Sequence, residues 1–429
     1  MLTLTGGWLA TFGLLMLVGL VRGQGLLVGL GALVLLTWLV AWGWNRVCLA
    51  RVTFERSLSV TRAFIGDTVS VQLRVTNRKA IPMPWVTMED QFPTGLEEAG
   101  KPRALRVEQG TYSMTRATSL ARYERVTWRF VMECRRRGLY RFGPAVVMSG
   151  DVFGFFFTER QETAWQHVIV YPQTLPLPTL GIPARRPFGE LRGGQPYHED
   201  PSRLRGLRLY EAGDALRRVD WKATARAQAL TVRLFAPSVS ETVIVVLNAQ
   251  TLTVSEGQWG YSPVLLERGV TAAASIAEWA SANKIAFGFL TNCVSPLTDE
   301  PIRVMPNRTR QQFTTVLESL AVVTPVGRQP MAQFIIEQTR QLPAGATIVM
   351  VTSVLDEATI TALRALRRHG ARLSIVWTAE TPPPPMDAPG ITVYEIGQQM
   401  ARLEREAVFR PGVDGGPGHV AVPTGAVSA

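Results

Sequence analysis

The sequence predicts a membrane-anchored multidomain protein: two transmembrane helices, a β-sandwich-like module and an α/β parallel-sheet domain. Three observations predict it. Two long uncharged apolar runs open the chain, period-two alternation follows, and the second half alternates continuous apolar runs with helical patterns. With 429 residues, 46% hydrophobic and 18% charged, the chain is too apolar for general disorder and long enough for more than one core.

Residues 1–46 read as a transmembrane helical hairpin. Leu2 to Val21 and Leu26 to Trp44 hold no charged residue, and runs of 20 and 19 residues can each cross about 30 Å of hydrocarbon as a helix. Arg22-Gly23-Gln24-Gly25 leaves room only for a tight turn, and Trp38, Trp42 and Trp44 gather near the second exit, as interfacial tryptophans do. A secretory signal peptide is the competing reading, but MLTLTGGW lacks the positive n-region it requires. Arg46, Arg51, Arg56 and Arg62 follow the second span, whereas the loop carries Arg22 alone. The positive-inside rule then places both ends in the cytoplasm and the protein in the cytoplasmic (inner) membrane.

Residues 51–180 read as a β-sandwich-like domain. Leu58 to Arg62 and Thr68 to Asn77 alternate polar and apolar residues around a Gly66-Asp67 turn. Similar runs recur at Trp85 to Met88, Tyr123 to Met132, Tyr140 to Met148 and Val168 to Val170. Arg135-Arg136-Arg137-Gly138 reads as a solvated strand end. Gly150 to Phe157, with four phenylalanines, reads as a loop packed in a core or a domain interface.

Residues 181–235 are assigned to a linker and a signature segment. A Pro-rich stretch, Leu175 to Pro187, leads into the run from Arg208 to Arg226. Gly213 suits a chain reversal, and Asp214 is placed to cap a short helix containing Leu216, Val219 and Trp221. Arg208, Arg217 and Arg226 are candidates to clamp Asp214 and Asp220, or, if exposed, to meet a partner carboxylate or phosphate. His198-Glu199-Asp200 is discounted, since adjacent residues do not normally converge on one ion.

The Arg208–Arg226 run, R-x-Y-x-x-G-D-x-x-R-x-V-x-W-x-x-T-A-R, resembles the signature of the domain of unknown function 58 (DUF58) family, through Arg208, Tyr210, Gly213, Asp214, Arg217, Asp220, Trp221, Ala225 and Arg226. Arg136 to Tyr140 and Asp151 to Phe155 are similar to that family's RRGxY and DPFGLF segments, with Val152 in place of proline. The resemblance covers about residues 130–240. It implies a bacterial membrane-anchored protein with paired amino-terminal spans, a β-rich section and a von Willebrand factor A-like domain, commonly associated with MoxR-type AAA+ ATPases.

Residues 236–400 read as the α/β domain. Thr242 to Leu247 is a continuous apolar run suited to a strand buried on both faces, followed by Leu266 to Ala280 at helical spacing and a strand from Ile285 to Leu290. Helices at 308–321, 329–341 and 357–369 alternate with strands at 347–351 and 372–377, implying a parallel sheet between helices. The resemblance to von Willebrand A-like domains implies a divalent-cation site, DxSxS, after the first strand. Here that position reads Asn248-Ala249-Gln250-Thr251-Leu252, so the expected carboxylate is an amide. Thr352, Ser353 and Asp356 keep some oxygen character, but Mg²⁺, which favours carboxylate oxygen, would be held poorly. No cofactor is expected from this degenerate site at Asn248, Gln250, Thr352 and Asp356. Residues 401–429, rich in Gly, Pro and Ala, are expected to be a disordered tail.

Charge and missing motifs narrow the function. Cys48, Cys134 and Cys293 are far apart and the four histidines isolated, so neither a disulfide framework nor a zinc site is encoded. No GxxxxGK[ST] loop and no nucleophile elbow occurs. Of the net +11, residues 1–50 hold +2, residues 51–182 hold +6 and residues 183–233 hold +5, while the remainder carries −2. A basic membrane-proximal part suits anionic lipid headgroups better than nucleic acid. The expectation is a non-catalytic scaffold or adaptor. The alternatives are a carboxylate-dependent hydrolase using Asp214 and Asp220, or a metal-dependent adhesion-type binding protein.

Overall fold

Gly25–Cys48 forms helix α1, whose run of Leu, Val, Ala and Trp makes it the one helix among the described residues long and apolar enough to cross a membrane. The computed structural model describes residues 11, 13–14, 16–98, 107–108, 111–185, 187–188, 199–211, 214, 216–237, 242–251, 261–296, 298–325, 327–339, 341–343, 345–368, 370–386, 390–406 and 408–409. Most of the first apolar run therefore lies outside the described residues. Residues 16–21 are helical and turn back at Arg22–Gln24, where the Gln24 N–H donates to the Gly19 carbonyl (2.9 Å). Gly31 allows this close return: a Cβ there would lie 2.6 Å from that of Met16. The chain divides into two compact units, Met1–Val170 and Tyr171–Ala429.

The first unit carries α1 and β1 (Val52–Leu58), β2 (Arg62–Phe64), β3 (Thr68–Asn77), β4 (Met83–Pro93), β5 (Leu96–Glu98), β6 (Val107–Glu108), β7 (Thr111–Leu120), β8 (Arg125–Cys134), β9 (Gly138–Phe142), β10 (Ala145–Gly150), β11 (Phe157–Glu162) and β12 (Gln166–Tyr171). They form sheets β1-β3-β8-β5, β11-β10-β4-β7-β6 and β2-β12-β9. Alternation buries Val69, Val71, Leu73 and Val75 on one face of β3, and these share a core with Met88 and Phe92 of β4. Phe92 sits edge-on to Phe130 and Phe142, with ring centroids 5.7 and 5.2 Å away.

The carboxyl end of α1 is built into this unit. Cys48 and Leu49 join its core, and the Lys79 ammonium donates to the Cys48 and Ala50 carbonyls, satisfying acceptors that a helix end leaves open. Residues of β11 and the loop before it line the helix: Arg160 donates to the Val52 carbonyl just past the helix end (2.9 Å), Thr158 to Asn45 Oδ1 (3.1 Å), and Phe156, which precedes the strand, stands edge-on to Trp38 at 5.8 Å.

Some sequence expectations shift here. Residues 59–61 connect β1 to β2 rather than lying within a strand. The Tyr140–Met148 run splits at the cis Gly143-Pro144 bond into β9 and β10. The Gly150–Phe157 loop is not packed in a core: Asp151 is buried and accepts the Phe153 and Phe156 amides (2.7 and 2.6 Å), which turns Val152, Phe153, Phe155 and Phe157 outward.

The second unit contains β13 (Glu199–Leu209), α2 (Trp221–Ala227), β14 (Thr231–Pro237), β15 (Thr242–Leu247), α3 (Pro263–Ala282), β16 (Ala286–Val294), β17 (Pro301–Asn307), α4 (Arg310–Ala321), α5 (Met331–Thr339), β18 (Thr347–Thr352), α6 (Glu357–Arg368), β19 (Arg372–Trp377), β20 (Thr392–Glu395) and α7 (Gly397–Arg405). Its six-stranded sheet runs β17-β16-β15-β18-β19-β20, parallel except for β17. Counted from β15, that is the doubly wound order 3-2-1-4-5-6. Ile244, Val246, Ile348 and Met350 pack with residues of α5 and α6, while Leu247 and Val351 approach Gly269 of α3 on the other face.

Two boundaries need correction. The Pro-rich stretch is a strap seated on the α/β unit: Leu175, Leu177, Leu180 and Ile182 are buried, Leu175 N–H donates to Ser275 Oγ (2.9 Å), and Phe188 stands edge-on to Trp279 and Tyr394. Prolines suit such a strap because they bring no N–H to satisfy. Order also passes residue 401, since α7 runs to Arg405 and Phe409 is buried, its N–H donating to the Leu403 carbonyl (3.2 Å). Residues 410–429 lie outside the described residues.

Candidate functional site

The carboxyl edge of a doubly wound sheet, at the point where strand order reverses, is where such folds place ligands. Here that point lies between β15 and β18, and the side chains that meet there are Asn248, Asn292 and Thr352, all buried. They close on one another. Asn248 Nδ2 donates to Thr352 Oγ1 (3.2 Å), Asn292 Nδ2 donates to Asn248 Oδ1 (3.3 Å), and the Ala249 amide donates to Asn292 Oδ1 (2.9 Å). Asn248 Oδ1 also accepts the Gln250 amide (3.1 Å), and Ser353 Oγ donates to the Thr251 carbonyl (3.0 Å). Asp356 serves elsewhere, accepting the Thr359 amide (2.8 Å) in the first turn of α6.

This donor set does not fit a hard divalent cation. Amide N–H groups fill the space where oxygen ligands would converge, and each side-chain oxygen already accepts a hydrogen bond. Among the described residues no three His, Cys, Asp or Glu side chains cluster. Leu252 lies outside the described residues. Asn292, at the heart of the net, carried no local signal in the sequence, because its partner Asn248 lies 44 positions away.

The signature segment forms the β13–β14 ribbon with α2 between its strands. Arg208 binds Asp214 (Nη2 to Oδ1, 2.6 Å), whose other oxygen accepts the Glu211 amide at 3.0 Å. Asp214 does not cap the helix. Asp220 does, accepting the Lys222 and Ala223 amides (3.1 and 3.0 Å) while Arg233 Nε donates to its second oxygen (2.9 Å). Backbone hydrogen bonds, reinforced by these arginines, hold both carboxyls below the usual aspartate range. Arg233, outside the signature run, was not anticipated as a partner.

Tyr210 is half-buried and its N–H donates to the Leu230 carbonyl (2.8 Å), closing the ribbon end. Trp221, Ala225 and Arg226 are exposed on α2. Gly213 and the Arg217 side chain lie outside the described residues. Asp214 and Asp220 are each tied to a different arginine. Leu207, Leu209, Leu216, Trp221 and Leu230 are between 44% and 68% exposed, an unusual density of solvent-facing apolar side chains.

An α/β unit with a charge-tied ribbon leading into its first buried strand defines the class: residues 206–382 match the family described as "Protein of unknown function DUF58", and the chain carries that family's region. The match takes in the ribbon from Gly206 onward and most of the six-stranded sheet, further toward the carboxyl end than the signature alone, and begins after the Arg136–Tyr140 and Asp151–Phe155 segments. Over 203 residues the chain is 26% identical to the "Uncharacterized protein YeaD" of Bacillus subtilis (strain 168), covering 45% of this chain and 47% of that protein. The match thus spans about half the length of that relative. Among solved structures, a β-glucosidase from Listeria innocua in complex with glucose is 14% identical, covering 28% of this chain and 16% of that one at a TM-score of 0.18. The sporulation control protein Spo0M of Bacillus subtilis is 11% identical over 38% of this chain and 58% of its own, at a TM-score of 0.19. Likenesses this slight carry no argument.

Proposed function

We propose that the chain is a membrane-anchored, non-catalytic scaffold that offers its α/β unit, of von Willebrand A-like type, to a MoxR-type AAA+ ATPase in the cytoplasm. The observation that carries this reading is the exposed apolar set on the ribbon, Leu207, Leu209, Leu216, Trp221 and Leu230, held by the Arg208–Asp214 and Asp220–Arg233 pairs within the family-matched stretch. Exposed apolar groups on a rigid, polar-tied frame suit protein recognition. The von Willebrand A-like reading is supported by the strand order and by Asn248 standing at the carboxyl end of β15. A hydrogen-bonded net in place of a cation site suits a surface that binds without metal. The arginines that follow α1 support a cytoplasmic-membrane location with a second span preceding α1 and the β-sandwich-like module beside the bilayer.

Trp221→Ala tests this reading, because the side chain is exposed and its removal should leave melting unchanged. Capture of an AAA+ ATPase from cross-linked native membranes is expected to fall sharply. Undiminished capture by Trp221→Ala and by Leu209→Ser would remove the ribbon as the contact surface.

A further inference from the structure

The loop between β10 and β11 stands at the level of the tryptophans on α1. Thr158 meets Asn45, and Phe156, two residues earlier and just before the strand, meets Trp38, so the hairpin runs up the helix away from its carboxyl end. Seven residues at ~1.5 Å each set the Trp38 contact about 10 Å beyond Asn45 along the axis. At the base stand cations: the Arg46 guanidinium lies 4.2 Å from the Trp42 ring centroid, and Arg160 binds the Val52 carbonyl.

The tip itself is apolar and faces outward. Val152, Phe153, Phe155 and Phe157 are between 48% and 60% exposed, and Phe153 stacks with Phe155 at 5.9 Å. The backbone is fixed rather than loose: buried Asp151 accepts two loop amides, its carbonyl accepts Trp85 Nε1–H (3.1 Å), and Gly154 takes the positive φ (78°) that the turn requires. Solvent exposure of four large apolar side chains on a braced loop calls for an occupant. α1 itself bears exposed leucines at Leu33, Leu36 and Leu39, an apolar surface of the same kind.

We infer that the Asp151–Phe157 loop is a wedge that inserts Val152, Phe153 and Phe155 into the headgroup and upper acyl region of the bilayer crossed by α1. The depth follows from the helix: Trp38 lies four residues, about 6 Å, inside Trp42, within the interfacial range of an apolar face flanked by cations. Aromatic side chains are the ones that partition to this level. The proposal rests on α1 crossing the membrane, and its test separates the two.

The full chain is reconstituted in phosphatidylcholine and phosphatidylglycerol vesicles with a bimane label on a cysteine at Phe155, at Leu33 on α1 or at Tyr123, an exposed turn residue, with unsubstituted chain as the background for its buried thiols. Quenching is compared between lipids brominated near the headgroup and aqueous iodide. The Phe155→Cys label is expected to be quenched several-fold more by brominated lipid than the Tyr123→Cys label, and to be shielded from iodide. A Phe155→Cys label as open to iodide as Tyr123→Cys, with Leu33→Cys still quenched by lipid, overturns the wedge and leaves the anchor standing. If Leu33→Cys is also open to iodide, the anchor falls and the wedge with it. Phe153→Cys repeats the measurement should Phe155→Cys disturb the loop.

Discussion

Arg56 of β1 and Asp90 of β4 join the two larger sheets of the first unit through a bidentate pair, Nε to Oδ2 at 2.8 Å and Nη2 to Oδ1 at 2.7 Å, with side chains only 4% and 0% exposed. Arg56 Nη1 also donates to the Phe142 carbonyl of β9 at 2.8 Å, so one guanidinium touches all three sheets. A buried pair of this kind is costly to halve, because the remaining charge keeps its desolvation penalty and loses its partner. Asp90→Ala is expected to destabilise the protein by about 3–5 kcal/mol, read as a lowered denaturant midpoint of the chain in detergent. Arg56→Met with Asp90→Leu should recover much of that loss, and failure of the double variant to do so would mean that the Phe142 contact matters more than the pair.

The same carboxyl gives a pH dependence. Burial pushes Asp90 up to about 6, against the opposing pull of Arg56. Its folded-state value thus lies above the unfolded value, about 3.9. Between those values the folded state holds the proton more tightly. The contribution is full below about pH 4, declines as pH rises to about 6 and stays flat above. Denaturant midpoints measured from pH 4 to 7 should show that decline in the native chain and lose it in Asp90→Asn.

Asn248→Asp restores the carboxylate that the sheet edge lacks. It removes the Nδ2 donor to Thr352 and leaves a charge among buried amides, so a loss of about 1–3 kcal/mol is expected in the absence of metal. Millimolar Mg²⁺ should return part of the lost melting temperature to the variant and leave the native chain unmoved. A native chain stabilised by Mg²⁺ would contradict the closed net described for Asn248, Asn292 and Thr352.

At the ribbon, Asp220 both caps α2 and binds Arg233. Its folded-state pKa is depressed, so its contribution is present above the unfolded value and is lost as pH falls through the folded one. Hydrogen exchange at Lys222 and Ala223 is expected to be protected at neutral pH and to lose protection in acid. Asp220→Ala should expose those amides at every pH, with Val243 to Leu247 of β15 unaffected.

Phe188 anchors the strap between Trp279 and Tyr394. Phe188→Ala should cost about 3–5 kcal/mol and open residues 175–188 to limited proteolysis before the rest of the unit. Cleavage no faster than in the native chain would mean that Leu177, Leu180 and Ile182 suffice to hold the strap.

Local chemistry decided which parts of this architecture were readable in the sequence. Thr242–Leu247 and Arg372–Trp377 announce themselves because a strand buried on both faces is a continuous apolar run. Thr111–Leu120 and Pro301–Asn307 do not: the first is rich in Thr and Ser, and the second is an edge strand with prolines at both its first and sixth positions. The Pro-rich strap reads as a linker because its leucines are spaced by prolines rather than by either regular period, yet those leucines are what bury it. At the candidate site the sequence placed Asn248 at a strand end and recognised its missing charge. Of its two partners, Thr352 was already placed at the site, whereas Asn292 depends on strand order and only the fold supplies it. Asp214 and Asp220 were both legible as polar anchors, but the cap belongs to the second because the chain makes a short 3₁₀ turn at Leu216–Arg218 before α2 begins.

The Lys79 ammonium seated on the carbonyls at the end of α1 has a mechanical consequence. Together with Trp44, Cys48 and Leu49 in the adjoining core, it ties the helix end to the β-rich unit. The two therefore turn as one lever. In a bilayer, a change of thickness that altered the tilt of α1 would swing the far edge of that unit through an arc, converting a property of the lipid into a displacement above its surface.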